Sequence, residues 1–270
     1  MNFIQGQKFK SLADFIFAPA NDVPRNDYCY LSNTLDKRLI KSGSIIYTHS
    51  FYAKQLFKYL SEVDKEVFVI THNSDLNIDF PPPDNVLMWY TQNVNLKHER
   101  IRSIPIGLEN DCWYPEKKTM LFEKLKFPKV YKNMLYMNHN TGTNPARIRP
   151  YEILEDKSWV TAERGQNGRG ISDYLDNVYN HPFVICPEGN GMDTHRVWEC
   201  LYLRTIPIEK RNINNQFYTD LPICFVDDWN EITEEFLFKE FKRMAAVKWN
   251  LAKLDFNYWK DEIQNRRKHN

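Results

Sequence analysis

Residues 183–208 constrain the fold of this chain more than any other stretch. They open with a short apolar run, Phe183, Val184 and Ile185, that ends in Cys186 and Pro187 and then passes Gly189 and Gly191. Helical spacing follows in Val197, Cys200, Leu201 and Arg204, before an Ile206-Pro207-Ile208 run. The glycines free the backbone to turn, and the change of period marks strand, tight loop, helix and strand. A strand that feeds a helix through so short a loop is the unit of a parallel sheet, so the stretch predicts an α/β fold.

The flanking sequence repeats the pattern. Residues 44–49 read as a strand, 52–63 as an amphipathic helix through Leu56, Phe57 and Leu60, and 66–72 as a second, fully buried strand. After the break at Pro81-Pro82-Pro83, residues 86–91 and 101–108 read as short strands and 116–126 as a helix. Further strands are predicted at 134–138, 159–162 and 223–226, with helices at 146–156, 171–179 and 231–250 and another opening at Tyr258-Trp259. The first forty residues are irregular and take a covering or edge role. Pro128, within the polar stretch 127–133, marks the junction between a first domain, 1–126, and a second, 127–270.

Composition limits the partners. A formal net charge of +1 gives no electrostatic case for nucleic acid or an anionic membrane, so any anion site must be local. The five cysteines, Cys29, Cys112, Cys186, Cys200 and Cys224, are odd in number and lie mostly in apolar runs, as reduced buried thiols do. Residues 1–10 lack the apolar core of a signal peptide, and no stretch approaches the roughly 20 apolar residues of a membrane span. The expectation is a cytoplasmic protein without a membrane span.

Two loops carry the candidate chemistry. In the first, Asp193 or Thr194 is placed to cap a helix, and Gly189, Asn190 and Gly191 let a ligand approach its positive end. His195 and Arg196 stand in the first turn, Arg196 able to grip an anion in bidentate fashion, and Glu199 is placed for ribose hydroxyls. Glu188 follows the strand, at the carboxyl end where open α/β sheets gather their sites. In the second loop Asn144 caps a helix that starts at Pro145, and Arg147 with Asn138, Asn140 or Thr141 is placed to hold a second phosphate. Each set also has a plain reading, as an intrahelical charge pair or an Asx-rich surface turn. The run from Arg164 to Gly170 lacks the Gly-Lys-Ser/Thr ending of a phosphate loop and reads as a flexible loop near the nucleotide.

Cys186-Pro187, Gly189-Asn190-Gly191, Arg196-Val197-Trp198-Glu199 and Ile206-Pro207-Ile208 together resemble the exostosin-like glycosyltransferases, and the α1,3-fucosyltransferases have a similar arrangement. The resemblance covers the last half of the chain well and the first half loosely. It implies a GT-B fold, two Rossmann-like domains whose parallel sheets face each other across a cleft, with terminal helices crossing back to the first domain. It also implies an inverting transfer from a nucleotide-diphosphate sugar, UDP-linked by preference and GDP-fucose as the alternative, to a glycan or glycoprotein acceptor. Enzymes of this kind that work in the Golgi carry a membrane anchor, so the resemblance leaves either a cytosolic bacterial or viral enzyme or a soluble portion of an anchored one, and the richness in Asn, Lys, Tyr and Phe leans towards the first. A general base is then expected from the first domain, where His49, His72 with Asp75, Gln92-Asn93 and Glu109 stand at strand ends and His72 and Asp75 are preferred. There is no Asp-x-Asp motif and no zinc-ligand spacing, so no metal or other cofactor is expected. A non-catalytic glycan-binding module with a degenerate nucleotide site is the non-enzyme reading. A dehydrogenase or epimerase is disfavoured because no Gly-x-Gly-x-x-Gly follows the first strand.

Overall fold

The computed structural model describes residues 2–19, 31–164 and 170–269. The chain divides into two compact units, Met1–Tyr114 with Ala252–Asn270, and Pro115–Leu251. Each is α/β and built on a parallel five-stranded sheet, the class the alternating pattern predicts.

In the first unit α1 (Gly6–Lys10) leads to β1 (Phe15–Ile16), β2 (Ser44–His49), α2 (Ala53–Leu60), β3 (Val67–His72), β4 (Val86–Thr91) and β5 (Ile101–Ser103). The sheet order follows the chain order, β1 to β5, with β1 as the short edge strand. Every residue of β3 is buried, as its unbroken apolar run requires for a central parallel strand. The predicted strand at 101–108 stops at Ser103 because Pro105 has no N–H to give to the ladder.

The second unit runs α3 (Lys117–Lys124), β6 (Leu135–Met137), α4 (Ile148–Leu154), β7 (Val160–Ala162), α5 (Ile171–Tyr179), β8 (Phe183–Ile185), α6 (His195–Tyr202), β9 (Ile206–Lys210), β10 (Cys224–Val226) and α7 (Glu234–Ala245). Its strand order is β7-β6-β8-β9-β10, so the chain reverses its direction of travel between β6 and β8. Leu135, Met137, Phe183, Ile185 and Ile208 pack in one core with Tyr151 and Leu154 of α4 and Leu237 and Met244 of α7. The helix predicted at 231–250 is shorter at both ends. Asp228 and Glu231 form a capping box around the turn Trp229–Glu231, and the Thr233 hydroxyl then caps α7 at Phe236 N. Finally α8 (Phe256–Lys268) belongs to the first unit, where Phe256 N donates to Asn2 O.

Candidate functional site

In an open parallel sheet, ligands bind outside the carboxyl ends of the strands where the strand order reverses. The second sheet has one such point, between β6 and β8, and the two loops singled out from the sequence are those that leave these strands.

After β6 come Asn138, partly buried, and His139, fully buried, then Asn140, exposed, and Thr141, partly buried. Asn144 caps the turn Pro145–Arg147 through Ala146 N, and its amide donates to Gly189 O at 2.8 Å, tying this loop to the one after β8. Arg147 donates from Nε to Glu188 O at 2.7 Å, from Nη2 to Pro187 O at 3.4 Å and from Nη1 to Asn140 O at 3.3 Å. A Cβ on Gly189 would lie 3.0 Å from Arg147 Nη2, so the glycine is what admits the guanidinium here. From the other side Arg196 donates to Asn138 Oδ1 and lies over the Tyr174 ring, 5.0 Å from its centroid.

Among the described residues neither Arg147 nor Arg196 makes an ion pair with a carboxylate. Each is held by neutral oxygens alone. Burial lowers the Arg147 pKa, and repulsion from Arg196 lowers it further. Repulsion by Arg196 favours an anion beside Arg147, while Tyr174, Cys186 and Glu199 raise the Arg196 pKa despite its burial.

His139 adds a second signal, one the sequence reading passed over although it lies between two singled-out asparagines. Its Nε2 meets Arg147 O at 2.8 Å, its ring packs on Tyr151, and its buried Nδ1 has no hydrogen-bond partner among the described residues. Burial pushes its pKa down to about 3, so the ring is neutral and does not add to the local positive charge.

The loop after β8 differs from expectation at its cap. Thr194, the residue before α6, does not cap it through its side chain: among the described residues its buried Oγ1 has no partner, and Asp193 accepts from Trp198 Nε1 at 2.8 Å. The Trp198 ring is fully buried, so its donor has to be satisfied inside the core, and Asp193 is the group in reach. Gly191 is buried, Asn190 exposed and His195 partly buried. Glu188 is partly buried and accepts from Asn212 Nδ2 at 2.8 Å.

Glu199 is 3% exposed, with Lys117 Nζ at 2.6 Å from one oxygen and the Tyr174 hydroxyl at 2.5 Å from the other. Burial alone would raise its pKa, but the Lys117 ammonium and the two hydrogen bonds hold the carboxyl below its usual range. Both oxygens are therefore engaged in tying α6 to α3 and α5.

Glu209 is a further group that sequence reasoning missed, its one signal being a charge inside an apolar strand. It is 6% exposed on β9, and burial followed by repulsion from Asp193, Cys186 and Glu188 raises its pKa well above the ordinary value. The folded protein thus keeps a proton on Glu209 that the unfolded chain releases above about pH 4.5. Stability contributed by that proton is full below this value and falls as pH rises toward the folded pKa, by at most about 1.4 kcal/mol per pH unit. Glu209→Gln, which mimics the protonated form, is expected to flatten this alkaline decline in thermal melts between pH 5 and 8. An unchanged pH profile would contradict the assignment.

In the first unit His72 is 1% exposed, and both ring nitrogens are engaged. The Asn73 N–H donates to Nδ1 at 2.8 Å, Asn73 Oδ1 lies 3.0 Å from the same nitrogen, and Nε2 lies 3.1 Å from Pro105 O. Phe9 stacks on the ring at 5.4 Å. Asn73 and Asn93, which follow β3 and β4, are both left-handed at φ 56°. They bracket a polar network in which Asn73 N donates to Gln92 Oε1, and Gln92 and Asn93 both donate to Ser74 O. Gly6 is obligatory beneath it, since a Cβ there would lie 2.0 Å from Asn73 Oδ1. Asp75, by contrast, is exposed. His49 and Glu109 are partly buried, and Gln92 and Asn93 fully buried.

Residues 165–169 of the glycine-containing loop lie outside the described residues, as does Cys29. Cys186, Cys200 and Cys224 are free and buried, whereas Cys112 is disulfide-bonded, which corrects the expectation of a reduced thiol there. Among the described residues no group of three or more His, Cys, Asp or Glu side chains has the arrangement of a metal site, and no helix is long and apolar enough to cross a membrane.

No protein-family model matches the sequence, and no curated protein matches it. Among solved structures, the crystal structure of an alpha1,3-fucosyltransferase is similar at a TM-score of 0.45 and 12% identity, over 76% of this chain and 68% of that one.

Proposed function

We propose that the chain is a GT-B glycosyltransferase that binds a nucleotide-diphosphate sugar at the reversal point of the second sheet and transfers the sugar, with inversion and without a metal ion, to a glycan acceptor held by the first unit. The observation that carries this reading is the convergence of Arg147 and Arg196 from either side of that point with, among the described residues, no carboxylate in an ion pair with either. The motif resemblance of residues 183–208 supplies the reaction class.

The acceptor hydroxyl oxygen attacks the anomeric carbon, the bond from that carbon to the diphosphate oxygen breaks, and its electron pair leaves with the diphosphate. The hydroxyl proton passes to a carboxylate. We assign this role to Asp75, which is exposed, whereas His72 is buried with both ring nitrogens already engaged. The negative charge that grows on the departing diphosphate meets Arg147 and Arg196, already fixed in position by main-chain and amide oxygens, so little reorganisation is needed. Asn138, Asn140, Thr141, Thr194 and the start of α6 at His195 add hydrogen bonds, while Gly189, Asn190 and Gly191 admit the phosphates closely. Glu188 takes a sugar hydroxyl. Glu199 reaches the ribose only as a secondary acceptor, since its oxygens already serve Lys117 and Tyr174.

A panel of UDP- and GDP-sugars, screened for thermal stabilisation in the presence of a chelator, tests the proposal. A true donor at a hundred times its dissociation constant should stabilise the protein by about 2.7 kcal/mol. Stabilisation that appears only when manganese is added would contradict the metal-free mechanism.

A further inference from the structure

The second unit carries a cavity of about 430 Å³ at the opposite end of its sheet. Met134, Trp159 and Pro182, which line it, immediately precede β6, β7 and β8, whereas the arginine loops leave the other ends of these strands. Four residues of extended chain separate Met134 from Asn138, roughly 13 Å at about 3.3 Å per residue. The cavity and the anion site therefore do not share a ligand group.

Its walls are aromatic. Tyr131 and Phe238 are about half exposed at 50% and 49%, Trp159 and Phe241 are partly buried, and Tyr131 meets Phe241 edge to face at 6.2 Å. Glu234, Phe238 and Phe241 fall at positions i, i+4 and i+7 of α7, so one helix face presents a carboxylate beside two rings. Lys132 stands on the rim but is engaged by Asn177 Oδ1 at 2.9 Å, while the exposed Glu234 carboxylate has no hydrogen-bond or ion-pair partner among the described residues.

This chemistry selects an occupant. Rings standing half clear of the surface offer flat apolar faces, which suit the C–H face of a pyranose, and a free carboxylate beside them accepts a pair of sugar hydroxyls. The same carboxylate, with the neighbouring ammonium already engaged, repels a phosphate or a uronate. The volume lies within the roughly 300–1,000 Å³ typical of small-ligand sites. We propose that the cavity lined by Tyr131, Trp159, Phe238 and Glu234 is a second glycan-binding site that takes a neutral oligosaccharide portion of the acceptor, away from the transfer chemistry. The proposal rests on the reading of the chain as a glycan-modifying enzyme. Its effect is to tether a long acceptor and raise the local concentration of its reactive end.

The test applies the full-length protein to an array of immobilised neutral oligosaccharides, alongside Phe238→Ala, Tyr131→Ala, Glu234→Lys and Arg196→Ala. Both aromatic positions are half exposed, and a thermal melt of each variant checks that it is folded. At least one neutral glycan is expected to bind, at least tenfold more weakly in the Phe238, Tyr131 and Glu234 variants and equally well in Arg196→Ala. The proposal is overturned if the wild type binds none of the array, if binding survives Phe238→Ala and Tyr131→Ala unchanged, or if it is lost in Arg196→Ala. It is also overturned if the wild type self-associates and Phe238→Ala makes it monomeric, since the rings would then be covered by a second copy. UDP and GDP affinity measured on the same preparations separates the two readings: absent nucleotide binding with intact glycan binding sinks the transferase and leaves the cavity assignment standing.

Discussion

Lys117→Ala is expected to destabilise the protein by about 3–5 kcal/mol, the range for a buried ion pair that loses one partner. The pair is deeply placed, with Lys117 8% and Glu199 3% exposed and 2.6 Å between Nζ and Oε1. Without the ammonium, the Glu199 carboxylate is left in the core with the Tyr174 hydroxyl, and its pKa rises. The pH dependence has a definite sign. A carboxyl held below its usual value contributes stability above about pH 4.5, lost as pH falls through the folded value, so this acid-side decline should vanish in Lys117→Ala. Urea denaturation at pH 7 and pH 4 measures both effects. Replacing the pair together, as Lys117→Met with Glu199→Leu, is expected to recover most of the loss, since apolar substitutes avoid desolvating two charges. A loss below about 1 kcal/mol in the single variant would show that the pair does not anchor α3 to α6.

Arg196→Ala and Arg147→Ala should each weaken diphosphate binding by about 1.5–3 kcal/mol, roughly 10- to 150-fold, the worth of a charge-assisted hydrogen bond. Because both guanidiniums meet the same diphosphate, the double variant should lose less than the sum of the two. Arg147→Lys should behave nearly as badly as Arg147→Ala. A single ammonium cannot keep the bonds to the carbonyls of Asn140, Pro187 and Glu188 and still point donors at a phosphate. Calorimetric titration of UDP and GDP into the wild type and the four variants gives these numbers directly, and wild-type affinity in either alanine variant would remove that residue from the site.

Much of the fold was legible because parallel strands and amphipathic helices leave distinct periods in the chain. The helix read at 171–179 is α5, Ile171–Tyr179, end for end. Boundaries failed where local chemistry intervened, at Pro105 after β5 and at the Asp228–Glu231 capping box before α7. The reversal between β6 and β8 left no mark in the sequence, because strand order is decided by pairing between distant segments. The same division holds at the site. Arg147 and Arg196 announced themselves by standing at helix starts after strands, yet their lack of a carboxylate partner is a fact of three dimensions. Lys117 lies 82 residues from Glu199, so nothing in the spacing suggested that the expected ribose ligand is held in an ion pair. Nor did the sequence separate the exposed Asp75 from the engaged His72, since both stand near the end of one strand.

The account stands on two guanidiniums held by neutral oxygens at the reversal point of the second sheet. A crystal structure of the full chain with UDP or GDP tests it most directly. The phosphates should lie within hydrogen-bond distance of both Arg147 and Arg196, beside Gly189 and the start of α6. A nucleotide bound elsewhere, or a pair of arginines left empty at saturating nucleotide, would contradict it.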